Sequence, residues 1–375
     1  MGRESSFEKD PSPEDWARLY TMAKHQALLG VLNAGVHRLP PAQQPPEHIL
    51  AEWDRLAGKI KDIHARHEKQ VAELAGILER MGLKGCVLKG TGLARLYPDP
   101  GRRQCGDIDV WVPGPRRSLL EAFSKEYNVH DVIYQECKVD IFDNTVVELH
   151  FHPTKMYNPF CNARLQRWFD KHCPIGSASA IPCRTPDYES GGLPAQGLHS
   201  GCGEGSHAHQ VSPSPALCYP DAAFNAVFCM AHMYRHYLSG GLGLRQMMDY
   251  YYVLRKLPAA ERDRAMQALK RLGMGRFAAA TMLALRFNFG LEDEYLLCKP
   301  DMKRGPKLIN DMIKMGNFGI LDPRNIGREG ESMLGRFRRK NRRAFSNLRD
   351  YPREILWSPL HRIGQFLWRL LHGYL

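Results

Sequence analysis

Residues 87–112 read VLKGTGLARLYPDPGRRQCGDIDVWV. The run opens short and apolar, as a strand does, and stops at Gly90-Thr91. Asp107-Ile108-Asp109 follows 17 residues after that glycine, in a second apolar run that ends at Pro113-Gly114. Side chains alternate along a strand, so Asp107 and Asp109 share one face while Ile108 and Val110 share the other. Two carboxylates on one face repel each other, and burying the pair without compensation is costly. A divalent cation removes the repulsion, and Mg²⁺ takes carboxylate oxygens together with substrate phosphates.

Further along, CKVDIFDNTVVELHFHP (137–153) predicts a hairpin with Asp143-Asn144 at the turn. Glu148 alternates with Val147 and Leu149 and so shares a face with His150. A strand beside the aspartate strand brings Glu148 to the same centre. SLLEAFSKEY, between the aspartates and the hairpin, reads as a short helix. Three carboxylates, a glycine turn and the cations Lys89, Arg102 and Arg103 suit a nucleoside triphosphate. A glycine turn lets backbone N–H groups approach phosphate, and two metals can hold attacking and leaving oxygens in line.

The flanks read as helical. EDWARLYTMAKHQALLGVLNAGV (14–36) places Trp16, Leu19, Tyr20, Ala23, Ala27 and Val31 near one face. Four prolines in RLPPAQQPPEH break it, and a long helix over about 47–81 follows, stopped by Gly82. After the hairpin, residues 189–216 hold six Gly, three Pro and five Ser, so the segment is expected to be a flexible insertion. Its His199, Cys202, His207 and His209 match no standard zinc spacing. Helical patterning resumes at Asp221 and includes GLGLRQMMDYY, where Arg245 and Asp249 stand four apart, a spacing suited to an ion pair. His232 and His236 also stand four apart, more in keeping with a packed helix face than with a metal helix.

The chain has 375 residues, 43% hydrophobic and 25% charged, a balance that excludes wholesale disorder. No apolar run is long enough for a transmembrane helix, and the polar N-terminus carries no secretory h-region. Ten cysteines without a CxxC pair point to reduced thiols and a cytoplasmic setting. The net charge is +12, of which +8 lies from Met333 onward. A basic tail suits nucleic acid, a membrane surface or an acidic protein. Within it, Leu360, Ile363, Phe366, Leu367, Leu370 and Leu371 line one helix face, and docking on the protein's own core is the commoner fate of such a face.

Gly90-Thr91, Asp107-Ile108-Asp109 and Glu148 together resemble the polymerase-β-type nucleotidyltransferase signature. The fuller wording, LKG…LYPDP…GDIDVWV…VELHFH…GLGLRQMMDYY, is similar to the bacterial uncharacterised nucleotidyltransferase family. That resemblance implies an α+β fold: a small mixed sheet with flanking helices, N-terminal helices and a helical C-terminal domain. The corresponding division is 1–83, a nucleotidyltransferase core at 84–173, the insertion at 174–219, a helical domain at 220–330 and a basic tail at 331–375. It further implies that Gly90 and Thr91 hold the triphosphate, that Asp107 and Asp109 bind the metals, and that Glu148 completes the metal site or accepts the acceptor hydroxyl's proton, these three being the catalytic residues. Lys89, Arg102 and Arg103 are expected to add nucleotide contacts, and two Mg²⁺ ions, or Mn²⁺, are the expected metals. His150, His232, Arg245 and Asp249 border the expected acceptor pocket. The expected reaction moves a nucleoside monophosphate from a nucleoside triphosphate to an acceptor hydroxyl (small molecule, protein or tRNA) with release of pyrophosphate. The alternative is a non-catalytic module that keeps the fold and binds nucleotide, RNA or a membrane.

Overall fold

A computed structural model describes residues 6–177, 181–183, 216–327 and 330–374. The chain begins with α1 (Pro13–His25), α2 (Leu29–Val36) and α3 (Glu47–Arg80). The central part runs β1 (Gly85–Val87), α4 (Thr91–Ala94), β2 (Ile108–Trp111), α5 (Arg116–Phe123), β3 (Val129–His130), β4 (Glu136–Phe142) and β5 (Thr145–His150). Then come α6 (Pro159–Lys171), β6 (Ile181–Pro182), β7 (Leu217–Tyr219), α7 (Ala222–Ser239), α8 (Leu244–Lys256), α9 (Ala259–Arg271), α10 (Gly275–Phe289) and α11 (Gly305–Met315). The C-terminal part holds α12 (Met333–Phe345), α13 (Pro352–Ile355) and α14 (Ser358–Leu371). His199, Cys202, His207 and His209 lie outside the described residues.

The sheet is mixed, with strand order β3-β4-β5-β2-β1-β7-β6. β2 runs parallel to β5 and antiparallel to β1, while β1 runs parallel to β7. The expected hairpin is β4–β5, closed at Phe142↔Thr145. The alternation read in residues 107–110 holds. Val87, Ile108, Val110, Val147 and Leu149 face a core shared with Val71, Leu74 and Leu78 of α3 and with Leu119 and Phe123 of α5. The opposite face carries Cys86, Leu88 and Trp111 against α6 and α7, where Trp111 stacks on Phe224 at 6.1 Å. The polar members of that second face form the site described below. One face of this sheet therefore packs dry, and the other is split between core and chemistry.

Two expectations about the sheet and N-terminus are corrected. Residues 181–182 and 217–219 were expected in the insertion, yet they pair into the sheet, and Leu217 and Cys218 sit beside Gly85 and Cys86 of β1. The single N-terminal helix is two, because Ala27 adopts φ +55°. The break is compensated by Gln26, fully buried, whose amide donates to Met312 O at 2.9 Å and whose Oε1 accepts from Leu244 N at 2.8 Å. That side chain satisfies one end of α11 and the first turn of α8, where helix groups lack internal partners. α1 itself starts with a reciprocal cap, Ser12 Oγ accepting from Asp15 N and Asp15 accepting from Ser12 N. α3 ends where Gly82, at φ +67°, reverses the chain.

The third correction concerns α14. Its leucine face does not dock on the core: only Ser358 of this helix is buried, and Leu360, Ile363, Leu367, Leu370 and Leu371 are exposed. The helix is held instead through its other side, where Trp368 lies under the Arg116 guanidinium at 4.5 Å and His361 packs on Tyr157 at 5.1 Å. Just upstream, Glu354 is buried and accepts from Tyr157 N at 2.6 Å and Asn158 N at 3.3 Å, which fastens α13 to the start of α6.

Burial pushes the Glu354 carboxyl up to about 7, outweighing the two backbone donors. The folded state thus favours the acid form. Below the unfolded carboxyl value both states are protonated and nothing is lost; as pH rises from there through about 7, the folded state must ionise a buried group and stability falls. Glu354→Gln keeps the acceptor oxygen and removes that burden. Its melting temperature relative to the parent is expected to be higher at pH 8 than at pH 5, by differential scanning calorimetry.

Candidate active site

The expected residues converge on a cavity of about 470 Å³ between the sheet and α8. It is lined by Lys89, Gly90, Asp107, Asp109 and Glu148 from the sheet side. His232 of α7 and Arg245 and Asp249 of α8 face them, with Phe318 closing one wall. Parallel register sets the centre, since Asp109 pairs directly with Glu148 across β2 and β5. Gly90 turns the chain at the end of β1 with φ +55° and ψ −121°, and a Cβ there would press on Asp107 O at 3.2 Å.

Asp109 is fully buried and doubly held on one oxygen. Its Oδ1 lies 2.5 Å from Lys89 Nζ and 2.9 Å from His150 Nε2. Its Oδ2 is buried without a hydrogen-bond partner. Burial alone would raise this carboxyl, but Lys89 and the His150 hydrogen bond outweigh it and hold the pKa well below the usual range. Glu148 goes the other way. Desolvation, with the charges of Asp109 and Glu136, lifts it to about 7. Asp107 is raised by the Asp109 charge and by burial. For His150, burial disfavours protonation, yet the Asp109 bond and the Glu136 charge win and raise its pKa.

Asp109, Glu148 and His150 each offer a ligand atom, all within 4.8 Å of one another. His150, expected at the acceptor pocket, thus joins the carboxylates, while Asp107 lies just before β2 and lines the same cavity outside this tight group. The donor set fits a hard or borderline divalent cation, and the partnerless Asp109 Oδ2 gives it an open ligand.

Other expected residues fall elsewhere. Arg102 does not line the cavity; it donates to Asn33 Oδ1 at 2.5 Å and pairs with Asp99, tying the loop to α2. Thr91 is buried with its hydroxyl 3.5 Å from Tyr219 Oη, also outside the cavity lining. Arg103 reaches the cavity wall but is committed: Nε and Nη2 donate to Asp249 Oδ1 and Oδ2 at 2.7 and 2.8 Å. Asp249 also accepts from Tyr97 Oη at 2.7 Å. The expected Arg245–Asp249 pair is therefore replaced by Arg103–Asp249, and Arg245 instead donates to Gln104 O at 2.8 Å. The GLGLRQ element both borders the cavity and fastens α8 to the 103–105 loop. His232 lines the cavity, and its ring lies 4.3 Å from that of His236. Burial and the nearby Lys89 charge press both histidines well below their usual range, so both are neutral.

Two contributors went unread in the sequence. Glu136 sits 3.3 Å from His150 Nδ1 and gives that ring a second carboxylate. Phe318 arrives from beyond α11 with no local signal, and lies 5.5 Å from the Arg245 guanidinium.

Residues 12–190 match the family model described as uncharacterised nucleotidyltransferase. That part of the chain is similar to this family, and the mixed sheet with flanking helices is consistent with an α+β nucleotidyltransferase fold. Comparisons with curated proteins and with solved structures gave no match.

Arg103 and Asp249 form a buried bidentate pair, and removing one member strands the other charge. Asp249→Asn is expected to destabilise the fold by about 3–5 kcal/mol in urea unfolding. Arg103→Met with Asp249→Leu, which leaves no stranded charge, is expected to recover most of that loss.

Proposed function

We propose that this chain is a divalent-metal-dependent nucleotidyltransferase that moves a nucleoside monophosphate from a nucleoside triphosphate to an acceptor hydroxyl. The observation that carries the reading is the carboxylate set of the cavity, Asp107, Asp109 and Glu148, with the buried Asp109 Oδ2 left without a partner. Asp107, Asp109 and Glu148 would hold Mg²⁺ or Mn²⁺, two ions in all, with His150 within ligating reach. When bound, the metal neutralises the triphosphate and steadies the attacking and leaving oxygens.

The chain's own groups take up the rest. Lys89 Nζ, already on Asp109, supplies positive charge where the triphosphate enters. Gly90 has no side chain to block the backbone from phosphate. Arg103 acts through Asp249 to fix the wall, and neither Thr91 nor Arg102 is assigned a phosphate contact. Glu148, half-buried beside Asp109, takes the acceptor hydroxyl's proton as that oxygen bonds to the α-phosphorus; the bond to the β-phosphate bridging oxygen breaks and pyrophosphate leaves. Arg245 and His232, both on the cavity wall, serve the acceptor side. Most of the rate would come from positioning and charge compensation, as in phosphoryl transfer generally. The acceptor is a hydroxyl-bearing small molecule, protein or tRNA.

A second reading rests on the Lys89–Asp109 contact. A lysine on the central aspartate compensates its charge without any metal, which suits a module that binds nucleotide and does no chemistry. Metal dependence separates the two. A thermal-shift series with each nucleoside triphosphate is expected to show stabilisation that requires Mg²⁺. Asp107→Asn, at a half-buried position that tolerates the change, is expected to lower nucleotide transfer by on the order of 10²-fold or more with little change in melting temperature. Equal stabilisation with and without metal, or full transfer by Asp107→Asn, would overturn the enzyme reading.

A further inference from the structure

α14 is an amphipathic helix mounted inside out. Leu360, Ile363, Leu367, Leu370 and Leu371 are 45–80% exposed. The protein holds the opposite side, where Trp368 is packed by Arg116 and by Tyr134 at 6.5 Å. A surface helix ordinarily turns its apolar stripe to the core, so this orientation costs the chain a buried leucine face. Aromatic and cation–π contacts enforce it, and nothing among the described residues covers the leucines.

Beside the leucine row runs a groove of about 300 Å³ between α12 and α14. Its lining includes Arg336, Lys340, Arg362 and Arg369 along with Phe337 and Phe366, and no carboxylate among the described residues. Arg362 has Nε and Nη2 buried without hydrogen-bond partners. The segment from Met333 onward carries +8. Apolar side chains facing outward, beside a groove of cations that no described carboxylate lines, complement a surface that is apolar below and anionic at its rim. That is the chemistry of an anionic phospholipid leaflet.

We infer that α12 and α14 dock this protein on an anionic lipid surface, with the leucine row entering the acyl boundary and the Arg336–Lys340–Arg362–Arg369 groove receiving phosphate headgroups. A second copy of the chain fits this face poorly, because pairing it with itself would set the same four cations against each other. The helix, about 21 Å long, lies in the interface and does not span. No described helix is long and apolar enough to cross a membrane. The inference is independent of the nucleotidyltransferase reading, since it involves none of the cavity residues.

The test is co-sedimentation of the full chain with vesicles of phosphatidylcholine, with and without phosphatidylglycerol, alongside light scattering of the protein alone. Binding to the phosphatidylglycerol vesicles is expected, and little to phosphatidylcholine alone. Ile363→Glu with Leu367→Glu, both already exposed, is expected to keep the melting temperature and weaken vesicle binding more than about tenfold. Arg336→Gln with Lys340→Gln is expected to weaken it and flatten its salt dependence. Failure to sediment with either vesicle, equal binding by the glutamate variant, or a concentration-dependent dimer that the glutamate variant abolishes would overturn the inference, the last in favour of a second copy.

Discussion

Asp109 is the constraint around which the molecule is arranged. A carboxylate with no solvent exposure in the middle of a sheet is tolerable only if charge is delivered to it, because the desolvation penalty of an uncompensated ion runs to several kcal/mol. Lys89 delivers it from the end of β1, and His150 adds a hydrogen-bond contact from β5. Both contacts depend on strand order. β2 must lie between β1 and β5 for one oxygen to meet both side chains, and this is the observed order. Glu136 then steadies His150 from the next strand out. A single buried charge thus links four neighbouring strands, and the same chain of contacts leaves one Asp109 oxygen without a hydrogen-bond partner.

The second organising pair is Arg103–Asp249. It spans from the loop before β2 to α8 and sets the far wall of the cavity in place. From the same loop Tyr97 Oη donates to Asp249, and Gln104 O accepts from the neighbouring Arg245. The cavity is therefore bounded by two charge-compensated clusters, one in the sheet and one at the helical domain. A charged group placed between them would meet fixed dipoles and charges in place of bulk water, which is the condition under which electrostatic stabilisation is strongest.

Much of this was legible in the sequence. The period-2 alternation through residues 107–110 and 147–150 gave the faces of β2 and β5 correctly, because one side of each strand is buried against α3 and α5. The hairpin turn at Asp143-Asn144 was legible from its residue types. Glu136 was not, for a definable reason. Counting back from Phe142↔Thr145 without interruption sets Cys137 opposite His150, but a register shift between Val139 and Phe142 moves Glu136 there instead. Arg102 and Arg103 look alike in sequence, and only tertiary contact separates the one that ties down a loop from the one that builds a wall. β7 escaped because it is three residues long and its partner lies far back in the chain. The outward leucine face of α14 was unreadable, since periodicity gives a stripe and does not say which way it points.

β7 has a consequence for how the protein comes to exist. β1 is hydrogen-bonded on one side by β2 and on the other by β7, and Cys218 Sγ donates to Gly85 O across 133 residues of sequence. During synthesis, β1 therefore leaves the ribosome long before the strand that seals its second edge. Until residues 217–219 arrive, the sheet carries an open, apolar border of the kind that recruits foreign strands. The segment that matches the family model stops before that point, so it is not by itself a unit that can close its own sheet. The entropic cost of bringing two distant strands together grows only logarithmically with the number of residues between them. The sequence distance from β1 to β7 thus matters little to the sheet's stability, while the three residues of β7 cannot be spared.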